Sequence, residues 1–193
     1  MIILKLKKGA MFGLDARIAL AIFGALSIIS GAALYSAISK SKETALQTQM
    51  QEFSKSYEQL YLDTGSHIPV NATFSMKSNY LVENPSPAML NWNGPYINFE
   101  ISGTSLKFPG YGNASILRME AGVTWGASIS PDPVATCTSG EKCELWLQIK
   151  GVNSELAKSL DIMVDGSIGN DAGNFRVMDG FDFIYWKMFP IYP

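Results

Sequence analysis

The chain has 193 residues, enough for one domain with a sizeable core and too few to make two independent domains the expectation. Apolar residues make up 47% of it and charged residues 17%, a balance that favours a part buried in a membrane or among subunits. The formal net charge of −2 provides no basic patch, so nucleic acid is not an expected partner.

The first predicted element is an apolar helix preceded by basic residues. Lys5, Lys7 and Lys8 stand before an uncharged run from Ile18 to Ile38. About 20 apolar residues match the roughly 30 Å that a helix must cover in the hydrocarbon core of a bilayer. Because the lysines precede the run, the positive-inside rule predicts a cytoplasmic N-terminus and a non-cytoplasmic body.

An acid, Asp15, lies at the start of this run. A carboxylate in a membrane segment is costly unless it is paired, so it suggests a function and a partner. Three fates of the segment are possible: an uncleaved signal anchor, a secretory signal peptide cut near Ala32 or Ala33, and a cut before the apolar run. The first two leave Asp15 unexplained.

A cut before the apolar run gives Asp15 a partner. Cleavage after Ala10 leaves a chain that begins MFGLDARIALAIFGAL, with a free amino group on Met11 and an acid at the fifth position, whereas cleavage after Gly9 puts the acid sixth. A short basic leader ending in a small residue, followed by an acid and a long apolar helix, resembles the N-terminus of a type IV pilin or type II secretion pseudopilin. The stretch AIFGAL at 21–26 lies where family members carry a similar sequence, although the family usually has Glu where this chain has Asp15.

The resemblance implies an α+β fold, type IV pilin-like, in which a long N-terminal α-helix packs on an antiparallel β-sheet head domain. It implies a cleaved leader over 1–10, a transmembrane and filament-core helix over 11–38, an amphipathic continuation over 39–64 and a globular head over 65–193.

The same resemblance implies roles for residues near the N-terminus. In the family the acid neutralises the N-terminal amine of a neighbouring subunit, and the new N-terminal residue is methylated. Arg17 has two alternative roles: its guanidinium reaches the cytoplasmic headgroups, or it helps to neutralise the Asp15 charges between subunits. Gly24 and the Ser30-Gly31 pair weaken the helix locally, and the resemblance implies that such a segment, here Ser30–Ala33, unwinds during assembly. The alternative is close helix packing through small residues. The residues implicated in processing and assembly are Gly9, Ala10, Met11, Asp15, Arg17 and Gly24.

The helix is predicted to continue beyond the apolar run to about Leu62, with Gly65 as its C-terminal cap. Its apolar residues there recur at three- and four-residue spacing, at Leu46, Met50, Phe53, Tyr57, Leu60 and Tyr61. The following stretch, 69–96, is rich in Asn, Ser and Pro and predicts a long connection. The sequences YLDTG at 61–65 and WNGPY at 92–96 resemble segments of pseudopilins, and Trp92 and Tyr96 are expected to cover the core.

Five later segments predict the strands of a sheet with one buried face: 96–102, 105–110, 115–129, 143–152 and 181–193. In the fourth, Leu145 and Leu147 alternate with residues that include Trp146, which is therefore predicted on the solvent side. Residues 153–166 predict a short helix with Asn153 or Ser154 as its N-cap and Gly166 just past its end. Its buried side is predicted to consist of Leu156, Leu160, Met163 and Val164.

Two features of the head bear on metals and redox chemistry. Cys137 and Cys143 flank a Ser-Gly turn, so they are expected to form a small disulfide loop if the head is exported, and to remain two thiols in the cytosol. A zinc site would need more ligands than the single His67 provides.

Calcium, which C-terminal loops of some major pseudopilins bind, is an alternative for 165–174, although the spacing is not that of the familiar calcium loop. Its oxygen ligands would be Asp165, Asn170 and Asp171.

The sequence contains no nucleotide-cradling glycine loop, nucleophile elbow or metal-ligand cluster, so neither an enzyme nor a cofactor is predicted. The leading hypothesis is a structural subunit of a type IV pilus-like filament. A prepilin peptidase would cleave it, the inner membrane would store it, and an inner-membrane assembly platform would build it into a homo-oligomeric helical filament, periplasmic or extracellular. One alternative is a minor pseudopilin of a type II secretion system, and another is a secreted or periplasmic binding domain with an ordinary signal peptide. Roles in adhesion, motility and DNA uptake are equally compatible with the sequence.

Overall fold

The computed structural model describes residues 12–72, 75–122, 137, 142–169, 172–178 and 182–191. Among them are two α-helices, α1 (Phe12–Thr64) and α2 (Ser154–Asp165). The strands are β1 (Val70–Ala72), β2 (Ser75–Met76), β3 (Glu100–Ser102), β4 (Ser105–Lys107), β5 (Asn113–Glu120), β6 (Cys143–Lys150), β7 (Phe175–Val177) and β8 (Phe183–Ile191). The chain divides into two compact units, one ending at Lys42 and the other, the head unit, beginning at Glu43.

The strands form one antiparallel sheet in the order β1-β2-β5-β6-β8-β7, and the β3–β4 hairpin joins it through β4 and β5. A long N-terminal helix followed by an antiparallel sheet confirms the predicted α+β class and is consistent with the type IV pilin-like arrangement. The longest pairing, β6 with β8, runs from Cys143 opposite Ile191 to Lys150 opposite Phe183.

The part of α1 within the head unit packs on this sheet through one stripe. Its three- and four-residue spacing places the stripe on a single face, and each side chain in it is at most 1% exposed. They share one apolar core with Leu145, Leu147 and Ile149 of β6. Full burial of such side chains contributes roughly 1.5–3 kcal/mol each. The stripe consists of Leu46, Met50, Phe53, Tyr57 and Leu60. The prediction is wrong for Tyr61, the last residue of the sequence pattern, which is 40% exposed.

The end of α1 lies two residues beyond the predicted Leu62, at Thr64. Gly65 adopts φ +63°, a left-handed conformation that glycine enters without steric cost. Its N–H donates to the Tyr61 carbonyl at 2.8 Å. The predicted glycine cap is confirmed.

The connection from 69 to 96, predicted as irregular, contains β1, β2 and a 3-10 turn at Ser78–Leu81. The Ser78 hydroxyl accepts a hydrogen bond from the Ile116 N–H at 2.9 Å, which ties the turn to β5. All five predicted strands are shorter or shifted. Strand 96–102 begins only at Glu100, and 115–129 begins at Asn113 and ends at Glu120, with 123–129 outside the described residues. The other three are observed as Ser105–Lys107, Cys143–Lys150 and Phe183–Ile191. Residues 96 and 97 are not in the sheet because both N–H groups donate to the Leu81 carbonyl.

The WNGPY segment confirms the expectation that Trp92 and Tyr96 cover the core. Their rings meet edge to face at 5.7 Å, and the Trp92 indole N–H donates to the Tyr80 carbonyl at 2.8 Å. A Cβ added to Gly94 would lie 2.5 Å from the Trp92 ring and 2.9 Å from the Tyr96 ring. Glycine is therefore the residue that fits between the two aromatic rings.

The prediction that Trp146 faces solvent is wrong, since its side chain is 0% exposed. It belongs to a second apolar cluster on the other face of the sheet, with Leu117, Met119, Met178 and Tyr185. The Arg176 guanidinium lies 4.6 Å from the centre of the Trp146 ring and covers it. Strict alternation predicts one solvated face, but here both faces of the central strands carry apolar side chains.

Helix α2 begins and ends as predicted. The Asn153 side chain accepts from the Leu156 N–H at 2.9 Å, and Gly166, at φ +77°, donates to the Ile162 carbonyl. Leu156 and Leu160 are buried, but the prediction for Met163 is wrong, because it is 43% exposed. Asp161, which was not predicted on the buried side, is buried. Its carboxylate accepts a hydrogen bond from the Gly169 N–H at 2.7 Å, and this bond ties the segment after α2 to the helix.

Candidate assembly site on the N-terminal helix

Over 15–42 of α1 the large apolar side chains are exposed on every side of the helix. By length and composition, α1 is the one described helix that could span a membrane or act as a signal anchor, and none of its most apolar window is buried. A helix that is apolar all round needs lipid or other protein around it. The exposed side chains are Ile18, Leu20, Ile22, Phe23, Leu26, Ile28, Ile29, Leu34, Tyr35 and Ile38.

Two charged residues, Asp15 and Arg17, lie in the first turns of this helix, and both are exposed. A carboxylate in the first turn stabilises the helix, because its negative charge interacts favourably with the helix dipole. Neither forms a salt bridge within the described part of the chain. Residues two apart differ by about 200° around an α-helix, so Arg17 points away from Asp15 of its own chain. Arg17 is therefore not placed to pair with Asp15 within the described part of this chain.

Three glycines, Gly13, Gly24 and Gly31, line one face of the same helix. Their spacings of 11 and 7 residues return to within about 20° of the same direction at about 100° per residue. A Cβ added to any of them would meet nothing within 4 Å, so packing inside this chain does not require glycine there. Small residues allow the backbones of two helices to approach closely.

The structure thus describes three of the predicted assembly residues, Asp15, Arg17 and Gly24, and places all of them on this helix. The predicted processing residues Gly9, Ala10 and Met11 lie outside the described residues. Whether the Met11 amine pairs with Asp15 therefore stays a prediction.

The predicted disulfide joins Cys137 to Cys143, with 5.8 Å between their Cα atoms. Cys143 is the first residue of β6 and packs in the core, while Cys137 is partly buried against it. The prediction of a small disulfide loop is confirmed.

Of the three residues predicted as calcium ligands, the structure describes only Asp165. The Asp165 carboxylate accepts hydrogen bonds from the backbone N–H groups of Asn174 and Phe175, at 2.8 Å and 2.7 Å. It therefore closes the turn after α2. Asn170 and Asp171 lie outside the described residues, and the described part of the chain contains no group of three His, Cys, Asp or Glu side chains that could hold a metal ion.

Sequence reasoning missed a polar cluster at the end of α1. The Tyr57 hydroxyl lies 2.9 Å from Nδ1 of His67, and the His67 ring stacks on Tyr61 with 4.5 Å between centroids. Burial lowers the pKa of His67 below its ordinary value, and the positive charge of Arg118 on β5 lowers it further. Tyr57 and Tyr61 share a helix face, a signal available in the sequence, but the approach of Arg118 depends on how the sheet packs.

Comparison with known proteins gives no match: no family model matches the chain, and no curated protein or solved structure is significantly similar to it. What the chain does must be inferred from its residues and their contacts.

Proposed function

We propose that this chain is a structural subunit of a type IV pilus-like filament. A prepilin peptidase removes residues 1–10, and the inner membrane then holds the chain as a single-pass protein with its N-terminus cytoplasmic. Assembly transfers the N-terminal helix from lipid to the core of a homo-oligomeric filament. The observation that carries this proposal is the contrast within α1, in which one stripe of side chains is buried over 43–64 and the apolar side chains are exposed on all sides over 15–42.

The exposed part of α1 suits both environments in the proposal. Lipid tails and the side chains of sibling helices are similarly apolar, so transfer between them leaves little hydrophobic free energy to overcome. Packing and polar contacts then decide whether the helix stays in lipid or joins other helices. The glycine face described above would let neighbouring helices approach closely.

Asp15 supplies the polar contact that would favour assembly. In the proposal its carboxylate pairs with the Met11 amine of a neighbouring subunit, so that two charges in an apolar setting neutralise each other. Breaking such a pair leaves one uncompensated charge, which is more costly than removing both.

The test is to express Asp15→Ala in the host and measure the ratio of filament-bound to membrane-bound chain. Loss of one charged contact worth about 1.5 kcal/mol or more should lower that ratio about tenfold or more. Asp15→Glu should restore most of it, and Glu58→Ala, which removes an exposed acid from the same helix, should assemble normally. Normal filaments from Asp15→Ala would contradict the proposal.

A second variant tests the glycine face separately. The Cβ of Gly24→Leu would meet nothing within 4 Å in its own chain, and Gly24 lies outside the head unit, so the head unit should fold and the chain should reach the membrane. Filaments should be lost if neighbouring helices pack closely at this position. Unchanged assembly would show that Gly24 is not at a helix contact.

A minor pseudopilin of a type II secretion system is the second candidate, favoured by the WNGPY and YLDTG segments. It would use the same helix and the same Asp15 contact. The two differ in phenotype, since loss of a pilus subunit removes surface filaments, whereas loss of a minor pseudopilin blocks secretion.

A further inference from the structure

The two sulfurs of the disulfide lie in different surroundings. Cys143 is 1% exposed and belongs to the core beneath α1. Cys137 is only partly buried. An external thiol or disulfide must approach one sulfur along the line of the S–S bond, so the more exposed Cys137 is the accessible target.

A cation lies beside the buried sulfur. One terminal guanidinium nitrogen of Arg118 lies 3.7 Å from Cys143 Sγ. Glu120 pairs directly with Cys143 between β5 and β6, and Arg118 pairs with Leu145, so strand alternation places Arg118 and Cys143 on the same face. No carboxylate of the described residues forms a salt bridge with Arg118, and its buried Nε atom has no hydrogen-bond partner there. Its charge is therefore available to the sulfur.

We propose that this disulfide exchanges with external thiols and disulfides through Cys137, and that Arg118 stabilises the thiolate of Cys143. The partner is a thiol–disulfide oxidoreductase or a small disulfide of the compartment that contains the head unit. This proposal is independent of filament assembly, since it needs only the folded head unit.

The oxidising direction has two steps. The Cys137 thiolate attacks a disulfide RSSR, forming a Cys137–SR mixed disulfide and releasing RS⁻. The Cys143 thiolate then attacks the Cys137 sulfur, forming the Cys137–Cys143 bond and releasing the second RS⁻. Two electrons pass to RSSR, and the two thiol protons leave with the two RSH products. Reduction follows the reverse order, with Cys143 as the first leaving group.

Within the described part of the chain, three other charged residues lie close to Cys143 in sequence or strand pairing. Glu120, its cross-strand partner, is negative and disfavours the thiolate. Lys142 is exposed next to it in sequence, and Glu144, on the opposite face, is paired with Lys187 at 3.4 Å. On the helix side, burial and Arg118 both hold His67 in its neutral form, so it supplies no competing charge.

The first experiment identifies the sulfur that is attacked. The intact chain in detergent is treated with glutathione under native conditions, quenched with N-ethylmaleimide, and digested with trypsin, which separates the two cysteines at Lys142. Chains that carry one glutathione and one maleimide should have the glutathione on Cys137 and the maleimide on Cys143. Glutathione on Cys143 in half or more of these chains would overturn the proposal.

The second experiment measures the role of Arg118. The reduced chain is mixed with glutathione disulfide, and closure of the Cys137 adduct is followed in wild type, Arg118→Gln and Arg118→Lys. Loss of the positive charge beside the sulfur leaves the Cys143 thiolate without this stabilisation, so closure should slow severalfold, about threefold or more, near neutral pH. The pH–rate profile of Arg118→Gln should move to higher pH than that of the wild type, and Arg118→Lys should restore most of the rate.

Denaturant provides the matched control. In urea the wild type and Arg118→Gln should close at the same rate, because the guanidinium is no longer held beside the sulfur. Equal rates for the folded proteins, with unchanged pH profiles, would assign Arg118 a packing role only and overturn its part of the proposal. The glutathione mapping uses wild-type protein and stands even if Arg118→Gln does not fold.

Discussion

Ser159 of α2 donates a hydrogen bond of 2.6 Å to the carboxylate of Glu43 on α1, a residue 116 positions earlier in the chain. Glu43 is 8% exposed and is the first residue of the head unit. The bond fastens α2 to the start of the part of α1 that packs on the sheet.

Removing this contact should weaken the head unit. Hydrogen bonds to charged groups contribute about 1.5–3 kcal/mol, so Ser159→Ala should lower the free energy of unfolding of the head by about 1–2 kcal/mol, since the site is only partly buried. Urea denaturation of the intact chain in detergent measures it. Lys158→Ala, at the exposed neighbouring position, should change it by less than about 0.5 kcal/mol. Equal effects of the two variants would show that the bond contributes nothing of its own.

The stability of the head should fall in mild acid because of His67. Burial and Arg118 lower the pKa of His67 below 6.5, so the unfolded chain binds the proton more readily than the folded one. The stabilising contribution of neutral His67 is therefore complete above about pH 6.5 and is lost as the pH falls through its folded pKa. Denaturation between pH 8 and pH 5 should show a steeper loss for the wild type than for His67→Gln, which cannot titrate. Parallel pH profiles would contradict this origin of the acid sensitivity.

The space at Gly94 is too small for a methyl group, so Gly94→Ala should destabilise the head unit. Because the new Cβ of Gly94→Ala would lie 2.5 Å from the Trp92 ring, the rings must move apart. Overpacking of this kind costs about 1–3 kcal/mol, measurable by chemical denaturation and by near-UV circular dichroism. The exposed neighbour offers a matched variant, Asn93→Ala, which should behave like wild type. A Gly94→Ala protein as stable as wild type would mean that the two rings can rearrange freely.

Local chemistry allowed parts of this fold to be predicted from sequence. The Asn153 cap, the Gly65 and Gly166 helix ends and the apolar stripe of α1 depend on neighbours within a few residues, and all are confirmed except for Tyr61 at the end of the stripe. Trp146 and Met163 were assigned to the wrong environments because burial depends on distant elements, such as Arg176 lying over Trp146.

In the candidate site, too, the features that depend on local sequence could be predicted and the contacts between distant elements could not. The apolar helix and the acid at its start are visible in the sequence, since they need only composition and position. The contact between Arg118 and Cys143 is set by the register of β5 on β6, which no local pattern specifies. The partner proposed for Asp15 belongs to another chain, and this structure contains one chain.

The most direct test of the central claim is the intact mass and N-terminal residue of the mature protein isolated from the membranes or filaments of its host. A filament subunit processed as proposed begins at Met11, with one added methyl group on its amine. A chain that begins near Ala33 would contradict the filament proposal and indicate an ordinary secreted domain, and a chain that still begins at Met1 in assembled filaments would contradict the pairing of Asp15 with a new N-terminal amine.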